Sequence, residues 1–252
     1  MKAFVKAYWK TLLFFAVVGL IGGFFVGLYA LESYPPQMQQ ELLAQGMNAT
    51  MLGLVSTLQS AGYGLVLGAA GIWLGKKVGL WKDERHITKK PLLAALIISL
   101  IGGLALFFPD LLFFGKYEQA LLDMYAVKPT IPYLLATVTY GAVIEEIMLR
   151  LFMMSLVAFV LHLLFERKRE GTSTAVLVAA NVVSALLFAA GHLPATEMMF
   201  GLTPMLVFRC FLLNGVFGLA FGWLYRRFGL RYTMIAHGGC HVVSKLIWIL
   251  FV

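Results

Sequence analysis

Three groups of ionisable residues stand inside apolar runs of this sequence. The first is Glu145-Glu146, with Arg150 following. The second is a single histidine, His192, one residue after Gly191 and two before Pro194. The third is His237 and His241, separated by Gly238-Gly239-Cys240. A charge in hydrocarbon is costly, so ionisable side chains kept there line a cavity and work. Carboxylate plus imidazole can activate water, hold a metal or shuttle protons. Glu146 and Arg150 lie one helical turn apart, so they read as a charge-cancelling pair that orients helices. Glu145 points about 100° away around the helix and is the candidate general base; its bland alternative is a buried carboxyl bonded to a neighbour. His192 sits where Pro194 breaks a helix and could be merely interfacial. His237 and His241 share a face and suit either a metal or two adjacent donors, with a stacked core pair as the plain alternative.

The elements that must position these residues are membrane helices. The chain has 252 residues, of which 61% are hydrophobic and 13% charged, and its mean hydropathy is +0.86. Soluble domains are about 45–50% apolar and about 25% charged. About 20 apolar residues cross a bilayer. Such runs occur at 11–31, 52–75, 91–114, 131–165, 173–193, 203–225 and 232–252. They are continuous rather than alternating, which excludes a β-barrel. The fold class expected is all-α: a polytopic transmembrane bundle of about seven helices forming one membrane domain over 1–252. The run 131–165 would span about 50 Å as one straight helix, so it must tilt, kink or project. The segment from Glu32 to Asn48, with Pro35-Pro36, reads as a loop carrying an interfacial helix, and that from Lys116 to Thr130 as a second polar loop.

The net charge of +8 raises nucleic acid as a partner. The basic residues, however, cluster in alternate loops, among them Lys2, Lys6, Lys10, Lys76, Lys82, Arg85, Arg167, Arg226 and Arg231. That pattern places the N-terminus in the cytoplasm and makes anionic lipid, not nucleic acid, the partner of the charge. A plasma (inner) membrane is the expected location. The apolar run after Lys10 is longer than a signal-peptide core and is read as a retained helix. Cys210 and Cys240 lack metal or redox spacing. Asn181 and Asn214 read as helix bridges, and Arg209 and Lys245 as snorkelling side chains. The glycines from Gly19 to Gly27 read as a close-packing face. No Ser or Cys has the surroundings of a nucleophile.

Taken in order, Glu145-Glu146-x-x-x-Arg150, Phe188-x-x-x-His192 and His237-x-x-x-His241 resemble the CPBP family, the CAAX prenyl endopeptidases and bacteriocin-processing enzymes also called Abi proteins. The resemblance covers about residues 130–245; residues 1–120 carry only topology. It implies an intramembrane endopeptidase acting on a membrane-associated protein or peptide, prenylated CAAX-type or leader-peptide. Glu145 and His192 would activate water, and His237 with His241 would stabilise the oxyanion. Glu146, Arg150 and Phe188 would support the site. Two departures stand out: His241 occupies a position usually Asn or Asp, and Leu151 one usually Gly. A metal-free glutamate mechanism is the first expectation. Zinc on Glu145, His192, His237 and His241 is the alternative, since three protein ligands and water satisfy that ion. The competing functions are a catalytically silent scaffold of the same fold and a metal or ion carrier. The topology also poses a difficulty: His192 lies near the outer end of its run and His237 near the inner end of its own.

Overall fold

The computed structural model describes residues 2–83 and 86–251; the expected loop contribution of Arg85 lies outside them. Among the described residues every regular element is helical. Seven helices are long and apolar enough to cross a membrane: α1 (Lys2–Ser33), α2 (Ala49–Lys77), α3 (Lys89–Lys116), α4 (Ile131–Phe165), α5 (Thr174–Phe200), α6 (Pro204–Phe228) and α7 (Leu230–Phe251). The chain is a multi-pass membrane protein. Hydrocarbon offers backbone groups no partner, and helices satisfy theirs internally. Leu13, Leu96, Leu100 and Leu186 point outward and stay exposed, as lipid-facing residues must.

The helix starts are written in the loops. Asn48, Ser173 and Thr203 each accept a bond from the backbone N–H three residues on, at 3.0, 3.3 and 3.1 Å, so polar caps meet orphan donors where chain enters lipid. Short helices Pro36–Ala44 and Gln119–Tyr125 occupy the two loops between α1 and α2 and between α3 and α4. The first matches the expected interfacial helix. The second was read only as polar loop.

The α4 helix is the axis of the bundle. It packs against α1, α2, α5, α6 and α7, and Ile144, Ile147, Leu151 and Met154 are fully buried. Its excess length is taken up by two π-helical stretches, Thr137–Glu145 and Ile147–Met154. Such windings are rare and gather at functional sites. The α1–α2 pair forms over the glycine face. A side chain at Gly19 would meet the Ser60 carbonyl oxygen at 2.6 Å, and Gly23 and Gly27 meet α2 backbone in the same way. Gly229, at φ +98°, turns the chain from α6 directly into α7.

Polar residues within the spans divide. The Asn181 side chain donates to the Leu219 carbonyl at 3.0 Å, bridging α5 to α6. Asn214 instead bonds Cys210 of its own helix, so the bridging role expected of it is corrected. Lys245 lies 4.7 Å from the Tyr133 ring centroid. Cys210 and Cys240 are free and buried.

Arg209 does not snorkel. Its guanidinium grips Asp110 with two bonds of 2.5 Å, and Asp110 is fully buried. Tyr125 donates to the same carboxylate at 3.1 Å and is shared with the Leu106 carbonyl. Burial, reinforced by the Asp110 charge, pushes the Tyr125 phenol up, so it stays a donor. Removing one partner of such a pair strands a buried charge. Arg209→Ala is expected to cost about 3–5 kcal/mol, read as a lowered unfolding midpoint in detergent. Adding Asp110→Asn should recover most of the loss.

Candidate active site

Glu145 ends the first π-helical stretch of α4, and Glu146 follows between the two. Their environments differ sharply. Glu146 is fully buried and paired with Arg150 at 3.4 Å, as the one-turn spacing requires. Arg150 is itself only 1% exposed and its guanidinium sits over the Phe188 ring at 4.2 Å and the Phe221 ring at 5.4 Å. Gly218 leaves the space: a side chain there would stand 3.3 Å from Arg150 Nη2. Glu145 has no such neutralising cation, and its side chain is 22% exposed.

Two imidazoles from two other helices turn toward Glu145. His192 Nε2 lies 4.0 Å from Glu145 Oε2, and His237 Nε2 lies 3.9 Å from the same oxygen. The two histidines thus meet at one carboxylate despite their places in the sequence. The α5 helix does not end near residue 193 but resumes at Leu193, with Pro194 in the new first turn, and runs to Phe200, so His192 stands inside its span, at the break. His192 Nδ1 donates to the Phe188 carbonyl at 2.8 Å.

Those bonds also set the protons. A carbonyl only accepts, so His192 Nδ1 carries hydrogen, and a neutral ring presents Nε2 as an acceptor. His237 Nδ1 bonds Glu146 Oε1 at 2.9 Å, a carboxylate that holds the ring and fixes its orientation. Phe221 stacks on His237 at 4.8 Å, and Phe188 touches both histidines edge-on. Phe188 was expected in support. Phe221, Gly141 and Gly218 were not. Only Phe221 has a signal in the sequence: it and His237 lie equally far from the Gly229 turn.

His241 stands one turn beyond His237, with ring centroids 5.0 Å apart. Gly141 of α4 gives both rings room, since a side chain there would come within 3.4 Å of His241 Nε2. His241 makes no ion-pair-range contact with Glu145. Among the described residues no three His, Cys, Asp or Glu side chains are arranged to hold a metal ion. Several buried polar atoms here make no hydrogen bond within the protein: Glu146 Oε2, the Arg150 guanidinium nitrogens and His241 Nδ1. Buried donors without partners are met by water or ligand.

The site so described is a cluster of ionisable side chains on three membrane helices. Residues 127–243 match the family model described as type II CAAX prenyl endopeptidase Rce1-like. That match, over residues 127–243, is consistent with the resemblance to the CPBP family. No curated protein and no solved structure matches the chain.

Proposed function

We propose that this protein is a glutamate-type intramembrane endopeptidase that hydrolyses peptide bonds of a membrane-associated protein or peptide. The observation that carries the reading is the single carboxylate oxygen of Glu145 faced by two imidazole nitrogens at 3.9 and 4.0 Å, while its neighbour Glu146 is neutralised by Arg150. A water bonded at about 2.8 Å to both Glu145 and His192 would subtend roughly a right angle, which fits one molecule between them. Such a water gives one hydrogen to the Glu145 carboxylate and one to His192 Nε2. Its lone pair is then aimed at the scissile carbonyl, and Glu145 takes the proton as attack proceeds.

His237 acts on the other side of the reaction. His237 is held at Nδ1 by Glu146, which leaves Nε2 facing the same site. His237 and His241 would then offset charge growing on the carbonyl oxygen, usually the largest single catalytic contribution. Glu145 passes its proton to the leaving amine, so no covalent intermediate forms. We further propose that the N-terminus faces the cytoplasm of a plasma (inner) membrane, because the basic loops lie on that side. A prenylated CAAX-type terminus and a leader peptide are both candidate substrates.

The test is cleavage of membrane-anchored peptides by the purified protein in proteoliposomes, with and without a strong chelator. Cleavage that persists with chelator is expected. Cleavage abolished by chelator and restored by zinc would overturn the metal-free route, and no cleavage of prenylated or leader-type substrates would overturn the assignment. In the same assay His241→Asn should retain activity, since an amide also donates. His241→Ala should lose about a hundredfold to a thousandfold, the cost of one oxyanion donor.

A further inference from the structure

A cavity of about 920 Å³ opens at the end of the bundle that bears the basic loops. None of Glu145, His192, His237 or His241 lines it. It lies between the first half of α1 and the start of α7. Both helices pack on the Glu145-bearing part of α4, and the cleft lies between them.

Three cations from three separate elements meet around it: Lys10 on α1, Lys82 in the loop after α2, and Arg231 on α7. None forms an ion pair among the described residues. Lys82 is not splayed into solvent; its stem lies across Gly229, where a side chain would touch it at 3.4 Å. Among the described residues the one carboxylate on the wall, Asp83, is already engaged, accepting from Trp81 Nε1 at 2.7 Å and from the Tyr8 hydroxyl at 3.4 Å. Lys76 donates to that same hydroxyl at 2.8 Å. Below the charged rim the wall is apolar, with Phe14, Phe15 and Met234.

We infer that this cavity binds an anionic phospholipid, its phosphate on Lys10, Lys82 and Arg231 and an acyl chain along the cleft between α1 and α7. The volume suits a small-molecule site. Basic side chains at a membrane surface attract anionic headgroups, and here they surround a cavity that also admits a chain. The site is distinct from the proposed hydrolytic one and needs no cleavage to be detected.

The test uses the full chain in detergent, titrated with short-chain phosphatidylglycerol, short-chain phosphatidylcholine or inorganic phosphate, with bound lipid read by native mass spectrometry and by unfolding midpoint. Phosphatidylglycerol alone should bind and stabilise. Lys10→Gln/Lys82→Gln/Arg231→Gln should weaken it about a hundredfold, near fivefold per basic residue. Lys77→Gln/Arg167→Gln/Arg169→Gln, which removes the same charge elsewhere, should not. Should the triple cavity variant fail to fold, the exposed single changes Lys10→Gln and Arg231→Gln must each still weaken binding roughly fivefold. Equal binding of phosphatidylcholine, full competition by inorganic phosphate, or equal loss in the control variant would each overturn the inference.

Discussion

Glu145→Gln is expected to reduce peptide-bond cleavage roughly a thousandfold to ten-thousandfold, the upper range for loss of a positioned base, while the protein stays folded. The amide preserves volume and can still touch water, but it cannot take a proton. Folding survives because the Glu145 side chain is 22% exposed and carries no ion pair with Arg150. His192→Ala should act in the same direction, since that ring supplies the second acceptor for the attacking water. The measurement is initial cleavage rate in proteoliposomes, with the unfolding midpoint as control. Retained cleavage by either purified variant would reject the assigned roles.

The second large effect is on stability. Arg150→Met removes the guanidinium paired with Glu146, which is fully buried. It leaves that carboxylate with His237 alone. The expected cost is about 3–5 kcal/mol, seen as a lower midpoint in detergent or denaturant. Methionine keeps much of the contact with Phe188 and Phe221, so the loss reports charge more than packing. Adding Glu146→Gln should restore most of the midpoint, because the two residues act as a unit. It should not restore cleavage, because His237 then loses the carboxylate that holds its ring in place. Equal midpoints for wild type and Arg150→Met would show that the pair does not hold the helices.

Much of this was legible because lipid makes polar residues conspicuous. Seven apolar runs gave seven spanning helices, and the one-turn spacing of Glu146 and Arg150 gave their pairing. The difference between adjacent glutamates was also legible, since one guanidinium serves one face. What was hidden depends on geometry that spacing does not encode. Pro194 looked like the end of a span, yet proline is tolerated in the first turn of a helix, and α5 continues to Phe200. The π winding of α4 has no simple pattern in the sequence, although the excess length of 131–165 demanded some departure. Arg209 looked like a snorkelling base because nothing local says it meets Asp110. Their pairing joins residues 99 positions apart. Phe221 had the one recoverable signal, its symmetry with His237 about Gly229.

The most direct test of water activation is a single turnover run in water enriched with the heavy oxygen isotope. If Glu145 serves as a base, the new carboxyl terminus carries one heavy oxygen in the first turnover, and the protein keeps its mass. If the first product instead lacks the label and the Glu145 carboxylate gains it, Glu145 is a nucleophile and the mechanism proposed above is wrong.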